Sequence, residues 1–285
     1  MDTFDFIVVG AGSAGCALAA RLSESGQHSV ALLEAGSDDP WIWLRIPTGV
    51  AKIMVGSRAL WRFQTEPEAG LNGRDLFCPR GKVLGGTSMV NGMFWVHGDP
   101  AEYDHWRDSL GLTQWGYREV LPYFKKMECY TPGDPAARGR DGPLVITQAS
   151  PRDRLSDAFL KACAEAGYPE TQDYNDGSYA GGGLMQFSTR RGLRWSVREA
   201  YVRPALKRVN LTLIKKAQVT RILFDGKQAT GIEYRQDGVD KSLHARAAVV
   251  LSAGTIQSPQ LLELSGIGDG ARLNQLGIKV VHHSP

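Results

Sequence analysis

Only four cysteines stand in the 285 residues, Cys16, Cys78, Cys129 and Cys163, and none forms a Cys-x-x-Cys pair or has a histidine at metal-ligand spacing. That argues against a zinc framework or a disulfide scaffold and leaves reduced structural thiols, with no metal site expected. Excess charge is missing too, since 33 basic and 30 acidic residues are interspersed for a formal net charge of +3. No basic face or tail is offered to a nucleic acid, whereas a small anionic ligand is compatible with this balance. No apolar run approaches the roughly 18 residues that a membrane-crossing helix needs. The strand-like run Phe4-Asp5-Phe6-Ile7-Val8-Val9 starts without a signal-peptide stretch before it, so the expected location is cytoplasmic, at most peripheral to a membrane. Internal repeats and low-complexity tracts are absent as well.

What is present is globular: 42% of residues are hydrophobic and 22% charged, in a chain long enough to bury roughly 75% of its unfolded surface. Phe6-Ile7-Val8-Val9 is a short β-branched run, wholly apolar, that ends at a glycine and predicts a buried parallel strand. Ser13 to Ser25 then places Ala14, Ala17, Leu18 and Leu22 at helical spacing, with Gly26 as the stop, and Val30-Ala31-Leu32-Leu33 predicts a second strand. The chain therefore opens with a βαβ unit. Residues 36–81 show no clear period and predict long connections around a ligand. Residues 99–126 predict a helix in two pieces, and Asp134 to Pro143 a surface loop or domain crossing. Beyond it come a strand at Leu144-Val145-Ile146-Thr147, an amphipathic helix at Leu155 to Ala166 and a strand at Gly183 to Thr189. The last third predicts a strand at Leu211 to Ile214, hairpins turned at Asp225-Gly226 and Asp237-Gly238, and a core strand at Ala248 to Leu251.

Gly10-Ala11-Gly12-Ser13-Ala14-Gly15 follows the first strand and opens the first helix, which is the context a G-x-G-x-x-G match requires. Gly10 suits the tight turn, Gly12 lets a pyrophosphate approach the backbone, and Gly15 lets helix and strand pack closely. The pyrophosphate would meet the positive end of the helix, among N–H groups without partners. Glu34 follows the second strand about 20 residues on, where a carboxylate accepts from the adenosine ribose hydroxyls and repels a 2′-phosphate, which argues against NADP. NAD and FAD both fit a turn of this kind.

Gly81-Lys82-Val83-Leu84-Gly85-Gly86-Thr87-Ser88-Met89-Val90-Asn91-Gly92-Met93-Phe94-Trp95 and Gly254-Thr255-Ile256-Gln257-Ser258-Pro259-Gln260-Leu261-Leu262-Glu263-Leu264-Ser265-Gly266-Ile267-Gly268 complete the picture. With the glycine turn and Leu33-Glu34-Ala35-Gly36, they resemble the signatures of the glucose–methanol–choline (GMC) flavin oxidoreductases. The resemblance covers essentially the whole chain and is closest to the choline dehydrogenase-like branch, including Trp61-Arg62-Phe63 and Asp141-Gly142-Pro143-Leu144. It implies a discontinuous Rossmann-like α/β domain for non-covalent FAD and an incomplete α+β substrate domain built on an antiparallel sheet. The expected boundaries are 1–143, 144–205 and 206–285, the first and last forming the FAD domain.

The resemblance also extends the set of expected cofactor residues. To Gly10, Gly12, Ser13, Ala14, Gly15, Glu34 and Ala35 it adds Trp61, Val83, Gly86, Thr87 and Ser88, the last two as hydroxyl and amide donors to phosphate or ribityl oxygens. Asn91, Gly92 and Met93 are expected beside the flavin ring, Val219 beside the adenine, and Ala253 and Gly254 near the dinucleotide. Val90 stands where some relatives carry a histidine that tethers the flavin.

By the same resemblance, the proton-accepting histidine of the family belongs to a later part of a longer chain, beyond His282-His283-Ser284-Pro285, so none is assigned here and His97 is left out. The chain is expected to be the flavin-binding portion of an enzyme that oxidises a small primary alcohol, choline-like, by hydride transfer to flavin, with the electron acceptor open. An oxidase or lyase of the same fold, or a non-catalytic FAD-binding fragment, is the alternative.

Overall fold

A run that is apolar on both faces needs a sheet covered on both sides, and the computed structural model, which describes residues 2–56, 58–149 and 153–285, places the first run in one. In strand β1 (Asp2–Val9) the last three residues are buried, and in β2 (Val30–Glu34) all five are. Helix α1 (Ser13–Leu22) connects them. Residues 36–81 are not all connection, because they form an antiparallel hairpin of β3 (Leu60–Gln64) and β4 (Phe77–Gly81). The later chain adds β5 (Leu211–Lys215), β6 (Ala217–Asp225), β7 (Gln228–Gln236) and β8 (Val239–Leu251).

The six-stranded sheet runs β5-β2-β1-β8-β7-β6. β5 pairs in parallel with β2, and β8 in parallel with β1, so early and late chain segments share one core that includes Ile7, Leu33, Ile232 and Leu243. β6, β7 and β8 form an antiparallel meander, turned at Gly226-Lys227, one residue past the expected Asp225-Gly226, and at the expected Asp237-Gly238. At the second turn Asp237 has φ +50° and Gly238 φ +81°, the sign a tight hairpin requires. The strand expected at Ala248 to Leu251 is not separate. β8 is one strand of 13 residues, antiparallel to β7 in its first half and parallel to β1 in its second.

α1 buries a different face from the expected one. Gly15, Cys16, Ala19 and Ala20 face inward, while Leu18 is 39% exposed. Small residues win this face because the helix lies close on the sheet: a Cβ at Gly15 would stand 1.9 Å from the Gly10 carbonyl oxygen. Ser23 stops the helix before Gly26, its hydroxyl donating to the Ala19 carbonyl at 2.8 Å.

The chain divides into two compact units, residues 1–91 with 196–285, and residues 92–195. The crossings thus fall at 91/92 and 195/196, not at 143 and 205. Residues 92–143 join 144–195 because their buried charges find partners there. Arg138 binds Glu128 through Nε and Nη2 at 2.8 and 2.9 Å and Asp173 through Nη1 at 2.6 and 2.7 Å, and Gln186 accepts from Arg138 at 3.0 Å. Burial alone would raise the Glu128 carboxyl, but His97, Arg138 and the Gly139 N–H outweigh it and hold the group well below the usual carboxylate range. The second unit carries the expected helices at Pro100–Ser109, Tyr117–Met127 and Arg154–Glu165. Among its described residues the expected antiparallel sheet is reduced to two-residue ladders, one of which, Glu128–Cys129 with Leu144–Val145, is parallel. No helix among the described residues is long and apolar enough to cross a membrane.

Candidate functional site

In a parallel sheet the carboxyl ends of neighbouring strands leave a crevice for ligands. Here the ends of β1, β2 and β8 and the first turn of α1 surround a cavity of about 480 Å³. Of the expected residues, Gly10, Gly12, Ser13, Ala14, Glu34, Ala35, Trp61, Gly86, Thr87, Val219, Ala253 and Gly254 line it together. They come from six separate stretches of chain.

Two glycine segments meet at its floor. Gly86, at φ +54°, approaches so closely that a Cβ on it would lie 2.6 Å from the Gly12 Cα, and the Gly85 N–H donates to the Ala11 carbonyl at 2.8 Å. Gly12 is different, since a Cβ there would meet nothing nearer than the Gly86 Cα at 4.0 Å, and the space beside it is the cavity. The first turn of α1 contains no acidic residue, so its N–H groups present uncancelled positive charge to that space.

Glu34 is 5% exposed. Its Oε2 accepts from the Ala11 N–H at 3.1 Å and its Oε1 from the Gly36 N–H at 2.8 Å. Burial pushes its carboxyl up to about 7 against those two bonds and the nearby charge of Lys82. Each carboxylate oxygen retains a lone pair, so ribose hydroxyls have somewhere to donate. Trp61 and Phe63, two residues apart on β3, lie side by side with ring centroids 6.0 Å apart, and the Lys82 ammonium stands 4.1 Å over Trp61.

Six expected residues do not line the cavity. Gly15 serves helix packing, as described above. Val83 is fully buried in a neighbouring apolar cluster with Leu44 and Ile53. The Ser88 hydroxyl donates to the Gly85 carbonyl at 2.7 Å, so it shapes the glycine segment from behind. Asn91 is the last residue of the first unit, and Gly92 and Met93 open the second, where the Met93 carbonyl accepts from the Ser188 N–H at 2.9 Å. His97 is 3% exposed in that second unit, its Nε2 3.1 Å from Glu128 Oε2 and its ring stacked on Phe124. None of the six histidines lines the cavity.

Sequence reasoning missed Phe63, Arg80, Gln218, Ser252, Thr255 and Ser258. Phe63 was legible from the alternation Trp61-Arg62-Phe63, which puts both rings on one face of a strand. Arg80 is exposed and its Nη1 donates to the Pro79 carbonyl at 2.9 Å, but among the described residues no carboxylate pairs with it, so its charge stands uncompensated on the cavity wall. All four cysteines are free, Cys16 buried with its thiol on the Ala11 carbonyl.

These residues fit an adenine dinucleotide: a side-chain-free approach at Gly12, the positive end of α1, a guanidinium without a carboxylate partner, a buried carboxylate and apolar walls at Ala217 and Val219. Comparison with known proteins agrees. Residues 4–284 match the GMC oxidoreductase family. The oxygen-dependent choline dehydrogenase of Photobacterium profundum is 46% identical over 285 residues, covering 99% of this chain and 50% of that protein. The enzyme of the same name from Vibrio vulnificus is 46% identical over 284 residues with the same coverage. Among solved structures, pyridoxine 4-oxidase from Mesorbium loti superposes with a TM-score of 0.94 at 32% identity, over 99% of this chain and 55% of that one. An FAD-dependent oxidoreductase from Chaetomium thermophilum gives 0.91 at 30%, over 99% and 51%. The chain spans about half the length of the curated relatives it matches.

Proposed function

The chain belongs to the GMC oxidoreductase family, and from that premise we propose that it is the FAD-binding portion of an enzyme that oxidises a small primary alcohol of the choline type. When bound, FAD supplies the hydride acceptor. The chain's own residues hold it in place. The amides of Gly12, Ser13 and Ala14 at the head of α1 would hold the pyrophosphate, with Arg80 as a counter-charge. Glu34 would accept from the ribose hydroxyls, Ala217 and Val219 would flank the adenine, and Gly86 with Thr87 would meet the ligand beside the glycine turn, at the floor of the cavity.

The observation that carries this reading is the contact of Gly86 with Gly12 beside a buried Glu34, three parts of one cavity contributed by three stretches of sequence. Bound flavin is non-covalent in this reading, because Val90 offers no nucleophile and is buried with Met89 and Leu44. The test is direct. Folded protein should carry flavin absorbance, and Gly12→Val, whose Cβ has room beside the cavity, should abolish it while leaving the fold intact. A colourless, well-folded protein that binds NAD instead would overturn the assignment.

A further inference from the structure

The glycine turn is fixed by a residue that no motif in it contains. Ser252 follows β8, and its Oγ lies 2.9 Å from the Val9 carbonyl oxygen and 2.9 Å from that of Gly10. Its own N–H donates to the Val9 carbonyl at 2.8 Å. The peptide that joins Gly10 to Ala11 is thereby held at both ends: the carbonyl oxygen accepts from Ser252, and the N–H donates to Glu34 Oε2 at 3.1 Å. A trans peptide is planar, with its C=O and N–H pointing in opposite directions, so two anchors on opposite sides fix the orientation of the plane. The next amides in the chain, Gly12, Ser13 and Ala14, take their direction into the cavity from that plane. The fit leaves no slack, since a Cβ on Gly15 would come within 2.5 Å of Ser252 Oγ and one on Gly10 within 2.6 Å of Ser252 O.

We propose that Ser252 is a positioning residue of the cofactor site, which sets the glycine-turn peptide so that the head of α1 meets the pyrophosphate before any ligand arrives. This rests on the reading of the cavity as an FAD site. The energetic return is preorganisation: a turn that is already ordered does not have to be ordered on binding.

The experiment compares the whole chain with Ser252→Ala and Ser252→Thr, stripped of flavin. Hydrogen exchange of the segment 9–16 reads the turn without ligand, and titrations with FAD, ADP and riboflavin read the site. Loss of one hydrogen bond at the turn predicts faster exchange in that segment and roughly tenfold weaker binding of FAD and ADP in Ser252→Ala. Riboflavin, which lacks phosphate, should bind all forms alike, and Ser252→Thr, which keeps the hydroxyl, should restore both readouts. Unchanged exchange, unchanged FAD and ADP affinity, an equal loss for riboflavin, or a threonine variant no better than alanine overturns the proposal. If the unsubstituted chain binds neither FAD nor ADP, the FAD reading falls, and the exchange comparison by itself decides whether Ser252 sets the turn.

Discussion

Glu34 couples the site to pH in two opposing directions. Burial holds its carboxyl at about 7, above the ordinary 4.5. A carboxyl whose pKa is raised on folding contributes stability that is fully present below its unfolded pKa and is lost as pH rises through the folded one. The flavin-free protein should therefore lose on the order of 2–3 kcal/mol between about pH 4.5 and 7 from this group. Ribose hydroxyls donate to the ionised form, so FAD should bind more tightly over the same rise. Glu34→Gln removes the proton from both effects. Thermal midpoints and FAD titrations from pH 5 to 8 check this, and parallel curves for the two proteins would remove Glu34 from the account. Val90 makes a simpler claim: acid precipitation should leave all flavin in the supernatant, and a yellow pellet would show a covalent bond at another residue.

At the scale of elements, α1 shows how a helix with too few large residues chooses its face. Leu18 and Leu22 suggest one stripe and Gly15, Cys16, Ala19 and Ala20 another, and the spacing suits both. Close approach to the sheet admits only the small stripe, because helix and glycine turn nearly touch at Gly15. Ala19→Leu should then overpack the interface and cost about 1–3 kcal/mol, whereas Leu18→Ala should stay within about 0.5 kcal/mol of the parent. Chemical denaturation of the two variants measures both, and the reverse order of sensitivity would return the helix to the face first read from its sequence. The hairpins β6-β7 and β7-β8 are the opposite case: the Asp-Gly pairs declare their turns locally, and the structure turns at Asp237-Gly238 and, one residue later than expected, at Gly226-Lys227.

At the scale of the whole molecule, no histidine among the described residues lines the cavity, and the Glu34 carboxylate there is engaged by the Ala11 and Gly36 N–H groups. His97, the tempting candidate, has its Nε2 engaged by Glu128 inside the second unit. A positioned general base contributes typically about 10²–10⁴-fold, so these 285 residues alone should capture FAD yet oxidise choline and short alcohols far more slowly than a full-length choline dehydrogenase at equal bound flavin. An assay with an artificial electron acceptor decides it, and comparable turnover would assign the base to a residue already present. The place of the glycine turn, β1 and the Asp237-Gly238 turn were legible in the sequence itself, since a helix start, a β-branched run and a positive φ are local patterns, and Glu34 was legible from its spacing to the glycines. Tertiary structure alone decided the rest. Arg80 and Ser252 reach the cavity by strand pairing across the chain. That the chain has no boundary at 143 follows from Arg138, whose buried charge needs Glu128 before that point and Asp173 beyond it. No local pattern announces such a partner, because an unpaired buried charge is penalised only once the chain has folded around it.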